Sequence, residues 1–293
     1  MEKNLEFKIS EFCINLKVKR YNHSFGGTVI FWYNGKLIES QTLELEINDP
    51  GLLYGATVFT TLRVYDNSLD SRLTHWQAHC DRLKSSLQTF GWRLPDDERL
   101  RQGAQIIMAH FPVLRITVFP DGREWITGRL LPKNLIENQE NGTIGFLAAP
   151  EFYRSLPSHK TGNYLSAWLA KANAQNLDAQ EVILVDIAGN WLETSTGNLW
   201  GWQNGCWWTP PVGAGILPGV VRGQLMDWLL KKQQVVRTEP WTPELVKGFE
   251  AIAYSNSVVE IIPLHTVICD SGKLEYNPHH PCFQQLRMFF LAL

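Results

Sequence analysis

Apolar and polar residues recur along this chain with two periods, one typical of strands and one typical of helices. Stretch 28–39 has two short apolar runs on either side of Asn34-Gly35, a dipeptide that suits the tight turn of a β-hairpin. Residues 58–65 are rich in β-branched and aromatic side chains, which favour strands, whereas residues 75–90 place leucines four positions apart. The pattern predicts a hairpin, a strand and a helix, in that order.

The same two periods continue through the next hundred residues, and glycine turns separate several of the runs. They predict helices over 96–111 and 164–175 and strands over 113–119, 181–186, 190–202 and 206–209. Because strands and helices mix without a regular βαβ alternation, the predicted fold class is α+β.

The chain is long enough for two domains. It has 293 residues, 44% of them hydrophobic, which exceeds the usual size of a single domain and provides a sizeable core. The segment 133–142 is polar and ends in glycine, so we expect the connection between domains there. This gives an N-terminal extension of unassigned role (1–27), a small α/β domain (28–132), a linker (133–142) and a large domain (143–293).

Charge and cysteine content narrow the functional classes. The formal net charge is −2 and like charges do not cluster, so the sequence predicts a small-molecule substrate, with neither nucleic acid nor a membrane as partner. Five scattered cysteines without a CxxC pair argue against a disulfide framework and a structural zinc site. Charges near the N-terminus argue against a signal peptide, and no apolar run is long enough to span a membrane. We therefore expect a cytoplasmic protein that needs no metal.

Three stretches of the sequence carry candidate chemistry. Residues 158–164 contain Lys160, residues 191–200 contain Glu193, and residues 215–222 form a glycine turn that opens a predicted helix. An amine, a carboxylate and free backbone N–H groups are what a pyridoxal phosphate enzyme needs from its protein. The competing lysine, Lys171, lies in the body of a predicted helix, where a solvated charge is the better interpretation. HExxH, GxSxG and P-loop motifs do not occur.

The stretches around Lys160, Glu193 and residues 215–222 resemble those of the class IV, or fold type IV, pyridoxal phosphate enzymes, and the resemblance runs from about residue 31 to residue 263. The family includes branched-chain and D-amino acid aminotransferases and aminodeoxychorismate lyases. The resemblance implies the D-amino acid aminotransferase-like fold, with pyridoxal 5'-phosphate between two α/β domains. It also implies a homodimer in which each active site borrows loops from the partner's small domain.

The resemblance also assigns roles to individual residues. Lys160 would form the Schiff base and act as general base, Glu193 would pair with the pyridine nitrogen, and Tyr164 would hydrogen-bond the phenolic oxygen. A guanidinium and a helix N-terminus both suit phosphate. The residues that match the phosphate-binding positions are Arg63, Gly219, Val220, Val221, Ser255, Asn256 and Ser257.

Local sequence favours a lyase that releases pyruvate from aminodeoxychorismate to give 4-aminobenzoate, a folate precursor. The block Phe59-Thr-Thr-Leu-Arg-Val64 resembles the FTTxRV of these lyases, and Glu193-Thr194 replaces the Glu-Gly of many transaminases. Arg123 matches a segment that binds substrate in these lyases, which makes it a candidate for a substrate carboxylate. An aminotransferase of branched-chain or D-amino acid type is the alternative. A fold that has lost its cofactor and serves as an interaction module is a third hypothesis, which the intact lysine and glutamate disfavour.

Overall fold

The computed structural model describes residues 29–291, and its strands form two separate sheets. The first sheet has five antiparallel strands in the order β2-β1-β5-β4-β3. The strands of this sheet and the helices between them are β1 (Ile30–Tyr33), β2 (Lys36–Glu39), α1 (Pro50–Tyr54), β3 (Val58–Arg63), α2 (Trp76–Thr89), α3 (Asp97–Met108), β4 (Val113–Val118) and β5 (Glu124–Arg129). The predicted hairpin at Asn34-Gly35 is confirmed as β1 and β2, with both turn residues at positive φ.

The second sheet has nine strands and mixed direction. The elements of this half of the chain are α4 (Leu135–Asn141), β6 (Thr143–Leu147), α5 (Leu165–Gln175), β7 (Glu181–Val185), β8 (Trp191–Thr194), β9 (Asn198–Gln203), β10 (Cys206–Trp208), α6 (Val220–Lys231), β11 (Val236–Arg237), α7 (Pro243–Lys247), β12 (Ala251–Asn256), β13 (Glu260–Cys269), β14 (Gly272–Glu275) and α8 (Cys282–Leu291). The strand order is β11-β10-β9-β12-β13-β6-β7-β8, and β14 pairs with β13. Because β8 also pairs with β9, six of these strands close on themselves.

The five-stranded sheet has two different faces because successive side chains of a strand point to opposite sides. One face is apolar and packs with α2 and α3 in a single core that includes Leu62, Leu114 and Ile126. The opposite face carries Phe59 and Arg115, and it borders a cavity in front of the second sheet. Burial of the first face therefore orients the second face toward the site.

The α+β fold class is confirmed, and some elements differ from the sequence prediction. Segment 133–142, predicted as a linker, contains the helix α4, whose Leu135 is buried in the core of the second sheet. The predicted strand 190–202 is interrupted at residues 195–197, and β5 was not predicted. The N-terminal extension 1–27 lies outside the described residues. No helix within residues 29–291 is long and apolar enough to cross a membrane.

Candidate active site

A cavity of about 370 Å³ lies between the two sheets. The five-stranded sheet contributes residues of β3, β4 and β5 to its wall. The other side is formed by the segment before α5, the strands β8 and β12, and the start of α6. Of the predicted site residues, those that line the cavity are Lys160, Tyr164, Glu193, Gly219, Val220, Val221, Ser255, Asn256 and Ser257.

Lys160 is held by backbone pairing and not by a helix. Its carbonyl accepts a hydrogen bond from the Phe59 N–H (2.8 Å), and Gly162 N–H donates to Thr57 O (2.7 Å), so the segment extends the edge of β3. A Cβ at Gly162 would lie 2.7 Å from Gly55 O, which explains the glycine at this close approach. The half-buried side chain places its amine 4.9 Å from the ring centroid of Phe59 and 5.5 Å from that of Tyr164. The ammonium group is therefore removed from bulk water.

The electrostatic surroundings of Lys160 favour its neutral form. Burial is the largest cause that lowers the pKa of Lys160, to about 7, and the charges of Arg82 and Arg154 act in the same direction. The negative charge of Glu193 acts in the opposite direction and raises the pKa of Lys160. An amine with this pKa is substantially deprotonated near neutral pH, and a neutral amine can act as a nucleophile or as a general base.

Glu193 is buried on β8, with both carboxylate oxygens engaged. Arg154 Nη1 donates to Oε1 at 2.6 Å, and Leu217 N–H donates to Oε2 at 3.0 Å. Arg154 is fixed in turn by donating to His159 O (2.7 Å). Burial raises the pKa of Glu193, while Arg154, the Leu217 N–H and Lys160 oppose the rise. The carboxylate is thus held rigidly in a desolvated part of the cavity.

A tight turn at 195–197 connects β8 to β9 and contains Ser195, whose carbonyl is the hydrogen-bond partner of Tyr164. Thr194 Oγ1 accepts a hydrogen bond from Gly197 N–H (2.9 Å), and a Cβ at Gly197 would lie 2.3 Å from Ser255 O, so the turn requires glycine. Tyr164 OH donates to Ser195 O at 2.5 Å. Burial is the largest cause that raises the pKa of Tyr164, to about 12, so the hydroxyl keeps its proton.

The start of α6, predicted as an anion cradle, lies on the cavity wall. Gly219 is the N-cap and provides no side-chain acceptor, so the N–H groups of Val220 and Val221 in the first turn have no partner within residues 29–291. A Cβ at Gly219 would lie 2.0 Å from Asn198 Oδ1, and Asn198 Nδ2 donates to Leu217 O at 2.8 Å. Free N–H groups at the positive end of a helix bind anions.

The segment 255–257 lies beside this helix start on the cavity wall. Asn256 is not a free ligand, because its Oδ1 caps the following turn by accepting from Val258 N–H (2.9 Å) and Val259 N–H (3.0 Å). Ser255 Oγ accepts from Trp200 Nε1 at 2.9 Å. Ser257 has no side-chain partner among the described residues and faces the cavity, so its hydroxyl is the most available donor of the three.

Arg63, predicted to bind phosphate, is not brought to the cavity. Its guanidinium pairs with Glu260 (Nη1 to Oε1, 2.9 Å) and lies over the ring of Tyr65. Only its backbone approaches the site, by donating to Ser257 O at 3.0 Å. The reason is positional: Arg63 is the last residue of β3, where a carboxylate at the start of β13 is within reach.

Arg82 of α2 is one of several arginines on the cavity wall that the sequence does not predict as site residues. Its Nη2 donates to Thr60 Oγ1 at 2.8 Å, whereas its Nε is buried and has no hydrogen-bond partner among the described residues. Burial lowers its pKa to about 10, and the charge of Arg154 adds to this effect. An arginine next to His79 and Leu83 on the buried side of an amphipathic helix is the signal that could have found it.

Arg123, predicted to bind a substrate carboxylate, also lies outside this cavity. Its guanidinium contacts Asp49 Oδ2 and Asp121 Oδ2, each at 2.5 Å, and donates to the Tyr33 hydroxyl. Two carboxylates already neutralise the guanidinium, so it is not available to a ligand in this cavity. Its role in the chain is to join the β4–β5 turn to Asp49, the N-cap of α1.

Comparisons with known proteins place this geometry in a family. Residues 57–267 match the family described as amino-transferase class IV, and the chain belongs to it. The branched-chain-amino-acid aminotransferase of Salmonella typhimurium is 23% identical over 262 residues, which cover 80% of this chain and 84% of that protein. The aminodeoxychorismate lyase of Vibrio harveyi is 22% identical over 264 residues, covering 84% and 94%.

The fold comparison agrees with the family. The crystal structure of the Escherichia coli branched-chain amino acid aminotransferase matches with a TM-score of 0.78 at 21% identity, covering 91% of this chain and 95% of that one. The fold is therefore fold type IV, and the protein is a pyridoxal phosphate-dependent enzyme.

The residues of the cavity fit this cofactor. The unpartnered Nε of Arg82 and the free N–H groups at the start of α6 would hold its phosphate, Glu193 its ring nitrogen, and Lys160 its aldehyde carbon. When bound, the cofactor supplies an electron sink for the carbon that bears the substrate nitrogen. Among residues 29–291, no group of three or more His, Cys, Asp or Glu side chains is arranged to hold a metal ion.

Proposed function

We propose that the enzyme is an aminodeoxychorismate lyase, which releases pyruvate from 4-amino-4-deoxychorismate and forms 4-aminobenzoate for folate synthesis. The substrate carries two carboxylates, one on its ring and one on the enolpyruvyl group that leaves. A site for it must hold both while a proton is removed at the carbon that bears the amine. The V. harveyi lyase among the relatives and the Phe59-Thr-Thr-Leu-Arg-Val64 block support this assignment.

The observation that carries the proposal is the pair of arginines on the sheet face of the cavity. Arg115 and Arg129 line it, and neither has an ion pair with a described residue. Arg115 lies over the ring of Phe59, 3.6 Å from its centroid. Because Arg115 pairs with Thr127 across β4 and β5, Arg129 is its diagonal neighbour on the same face, at about 7–8 Å between backbones. Two unpaired guanidinium groups at this spacing suit a substrate with two carboxylates.

The remaining residues account for proton movement. The neutral amine of Lys160 can take the proton from the substrate carbon once it no longer holds the cofactor. The bond from the adjacent ring carbon to the enolpyruvyl oxygen then breaks and releases enolpyruvate, and the Lys160 ammonium formed by the first transfer can return the proton to it to give pyruvate. Tyr164 keeps its proton and Glu193 keeps its position throughout, so both act by orientation.

A class IV aminotransferase is the second candidate function. The S. typhimurium relative has that activity in its name, and one side of the cavity is aliphatic, with Leu135, Val258, Val259 and Ile262 on its wall. An aliphatic wall suits a branched side chain. Such an enzyme would release a 2-oxo acid, whereas the lyase would break a bond at the adjacent carbon.

A product assay on cofactor-loaded protein separates the two functions. One sample receives 4-amino-4-deoxychorismate, and a second receives leucine or D-alanine with 2-oxoglutarate, with the Lys160→Ala variant as blank. We expect 4-aminobenzoate and pyruvate in equal amounts from the first sample. Glutamate from the second sample without 4-aminobenzoate from the first would replace the proposal with the aminotransferase.

We also propose that the enzyme is a cytoplasmic homodimer. Leu52, Leu53 and Tyr54 of α1 are exposed, and so are Leu165 and Trp168 of α5. The two groups flank the place where residues 55–57 meet 160–163, so a second copy of the chain would cover both. The four described cysteines are all free, which supports a reducing compartment. Light scattering of purified protein tests the dimer, and a monomeric mass would contradict it.

A further inference from the structure

A chain of buried hydrogen bonds ends at Arg82 on the cavity wall. Thr60 of β3 and His79 of α2 are both almost completely buried. Arg82 Nη2 donates to Thr60 Oγ1 at 2.8 Å, and the same oxygen lies 2.6 Å from His79 Nδ1. None of the three side chains has a carboxylate partner among the described residues. These three side chains lie on the apolar side of the five-stranded sheet. Buried polar groups there destabilise the fold unless each of them has a hydrogen-bond partner.

The protonation of this chain follows from counting donors. Arg82 can only donate, so it uses one lone pair of the Thr60 oxygen. The hydroxyl proton then needs an acceptor, and His79 Nδ1 is the acceptor within reach among the described groups. His79 must therefore be neutral and carry its proton on Nε2. Burial is the largest cause that keeps the pKa of His79 well below its ordinary value, and the Arg82 charge adds to it.

We propose that Thr60 and His79 are positioning residues, which fix the Arg82 guanidinium so that its remaining N–H groups are presented to the phosphate of the cofactor. One nitrogen of the guanidinium is anchored at Thr60, while Nε is buried without a partner and Arg82 lines the cavity. A rigid fork loses less freedom on binding phosphate than a mobile side chain. The inference concerns the cofactor and holds for the lyase and for the aminotransferase alike.

The surroundings explain why this guanidinium must be held in place. The positive charges of Lys160, Arg154 and Arg82 lie close enough to repel one another. Without its anchor, a cation in this position would be expected to turn away from the other two. The bond to Thr60 opposes that movement, and a bound phosphate then compensates the positive charge.

Replacement of Thr60 tests the proposal through cofactor affinity. Thr60→Val removes the hydroxyl and keeps the shape, while Thr60→Ser keeps the hydroxyl. Thr117→Val is the matched control, because Thr117 is a buried threonine on the same sheet whose hydroxyl has no partner among the described groups. Each full-length variant is stripped of cofactor, and its tryptophan fluorescence is titrated with pyridoxal phosphate and separately with pyridoxal, which lacks the phosphate.

We expect Thr60→Val to bind pyridoxal phosphate about tenfold or more weakly, the size of one hydrogen bond to a charged group. Its affinity for pyridoxal should stay unchanged, and both Thr60→Ser and Thr117→Val should bind both ligands as the parent protein does. Equal weakening for both ligands, or the same loss in Thr117→Val, would mean a general structural effect and overturn the proposal. An unchanged affinity of Thr60→Val for pyridoxal phosphate would overturn it as well.

Two further variants keep the test available if Thr60→Val does not fold. Thr60→Ala removes the hydroxyl without adding a methyl group, and it should show the same selective loss of phosphate-dependent affinity. His79→Asn offers an amide oxygen in the region of Nδ1 and should retain more of that affinity than His79→Leu. If Thr60→Ala and His79→Leu both bind pyridoxal phosphate with the affinity of the parent protein, the hydrogen bonds of Thr60 and His79 have no role in positioning Arg82.

Discussion

Two clusters of this molecule each combine an arginine with carboxylates, but they differ in whether they border the cavity. In the cavity, Arg154 pairs with Glu193, and both are buried. Outside it, Arg123 pairs with Asp49 and with the exposed Asp121. The outer guanidinium is fully neutralised, whereas the inner pair borders an open cavity beside Lys160. The comparison indicates that an ion pair can take part in function where it is buried beside a cavity and shifts the pKa of a neighbouring group, here Lys160.

The largest effect is expected from removing the amine of the inner region. Lys160→Ala should abolish turnover and the visible absorbance of the bound cofactor, because no other lysine in the described part of the chain lies beside the rings of Phe59 and Tyr164. Absorbance spectra and a product assay measure both. Lys171→Ala is the control, since the Lys171 side chain is 37% exposed and its amine lies 3.8 Å from the Glu181 carboxylate. Loss of colour in Lys171→Ala and not in Lys160→Ala would reverse the assignment.

The pKa of Lys160 gives a second prediction, on the cofactor-free protein. Since the neutral amine is the nucleophile, the rate at which added pyridoxal phosphate turns the protein yellow should rise with pH around a midpoint of about 7. An ordinary lysine would have a midpoint near 10.4, and at pH 7 its neutral fraction would be about a thousandfold smaller. Stopped-flow absorbance between pH 5 and pH 10 measures the midpoint, and a value near 10 would contradict the prediction.

The same pKa has a consequence for stability. A lysine whose pKa is lower in the folded than in the unfolded state binds fewer protons when folded at pH values between the two, so the free energy of unfolding rises with pH in that window. The window here runs upward from about 7. Urea denaturation of the cofactor-free protein should show this rise, and Lys160→Met should lack it.

A further prediction compares the two clusters directly. Glu193→Gln leaves the buried Arg154 without its counter-charge, and we expect turnover to fall about a hundredfold or more. The free energy of unfolding should fall by about 3 kcal/mol, as is common when a buried pair loses one partner. Asp121→Asn in the outer cluster should cost less than about 1 kcal/mol, because that carboxylate is exposed. Steady-state kinetics and urea denaturation of both variants measure the contrast, and equal losses would contradict it.

The sequence predicted those parts of the site that depend on neighbours along the chain. Lys160, Glu193 and the start of α6 lie in motifs whose local backbone determines where they point, and all line the cavity. Arg63 and Arg82 show where this reasoning stops. Both come from elements that the periodicity predicts, but which arginine meets the cavity depends on whether Glu260 or Thr60 lies opposite, and that pairing joins residues distant in sequence.

For the fold as well, the sequence predicts the elements that depend on local residues and not those that depend on contacts distant along the chain. The hairpin at Asn34-Gly35 and the helix α2 follow from turn residues and apolar spacing, and both are confirmed. The polar sequence of residues 133–142 predicts a linker, and the helix α4 lies within it. Only Leu135 of α4 is buried, and it joins a core formed mainly by strands far along the chain. A single buried contact of this kind leaves no periodic pattern to detect.

The smallest effect on cofactor binding is expected from Arg123 of the outer cluster. Arg123→Gln leaves Asp49, a buried carboxylate, without its main partner, although Asp49 still accepts from Gly51 N–H at 2.7 Å. The pKa of Asp49 is lowered overall, since the bonds from Arg123 and Gly51 outweigh burial, which raises it. We expect a loss of about 1–2 kcal/mol in the free energy of unfolding and an unchanged affinity for pyridoxal phosphate. Denaturation and cofactor titration measure these. A raised KM for the amine substrate at unchanged stability would instead return Arg123 to the substrate role that its sequence position suggested, through contact with the cavity of a second copy.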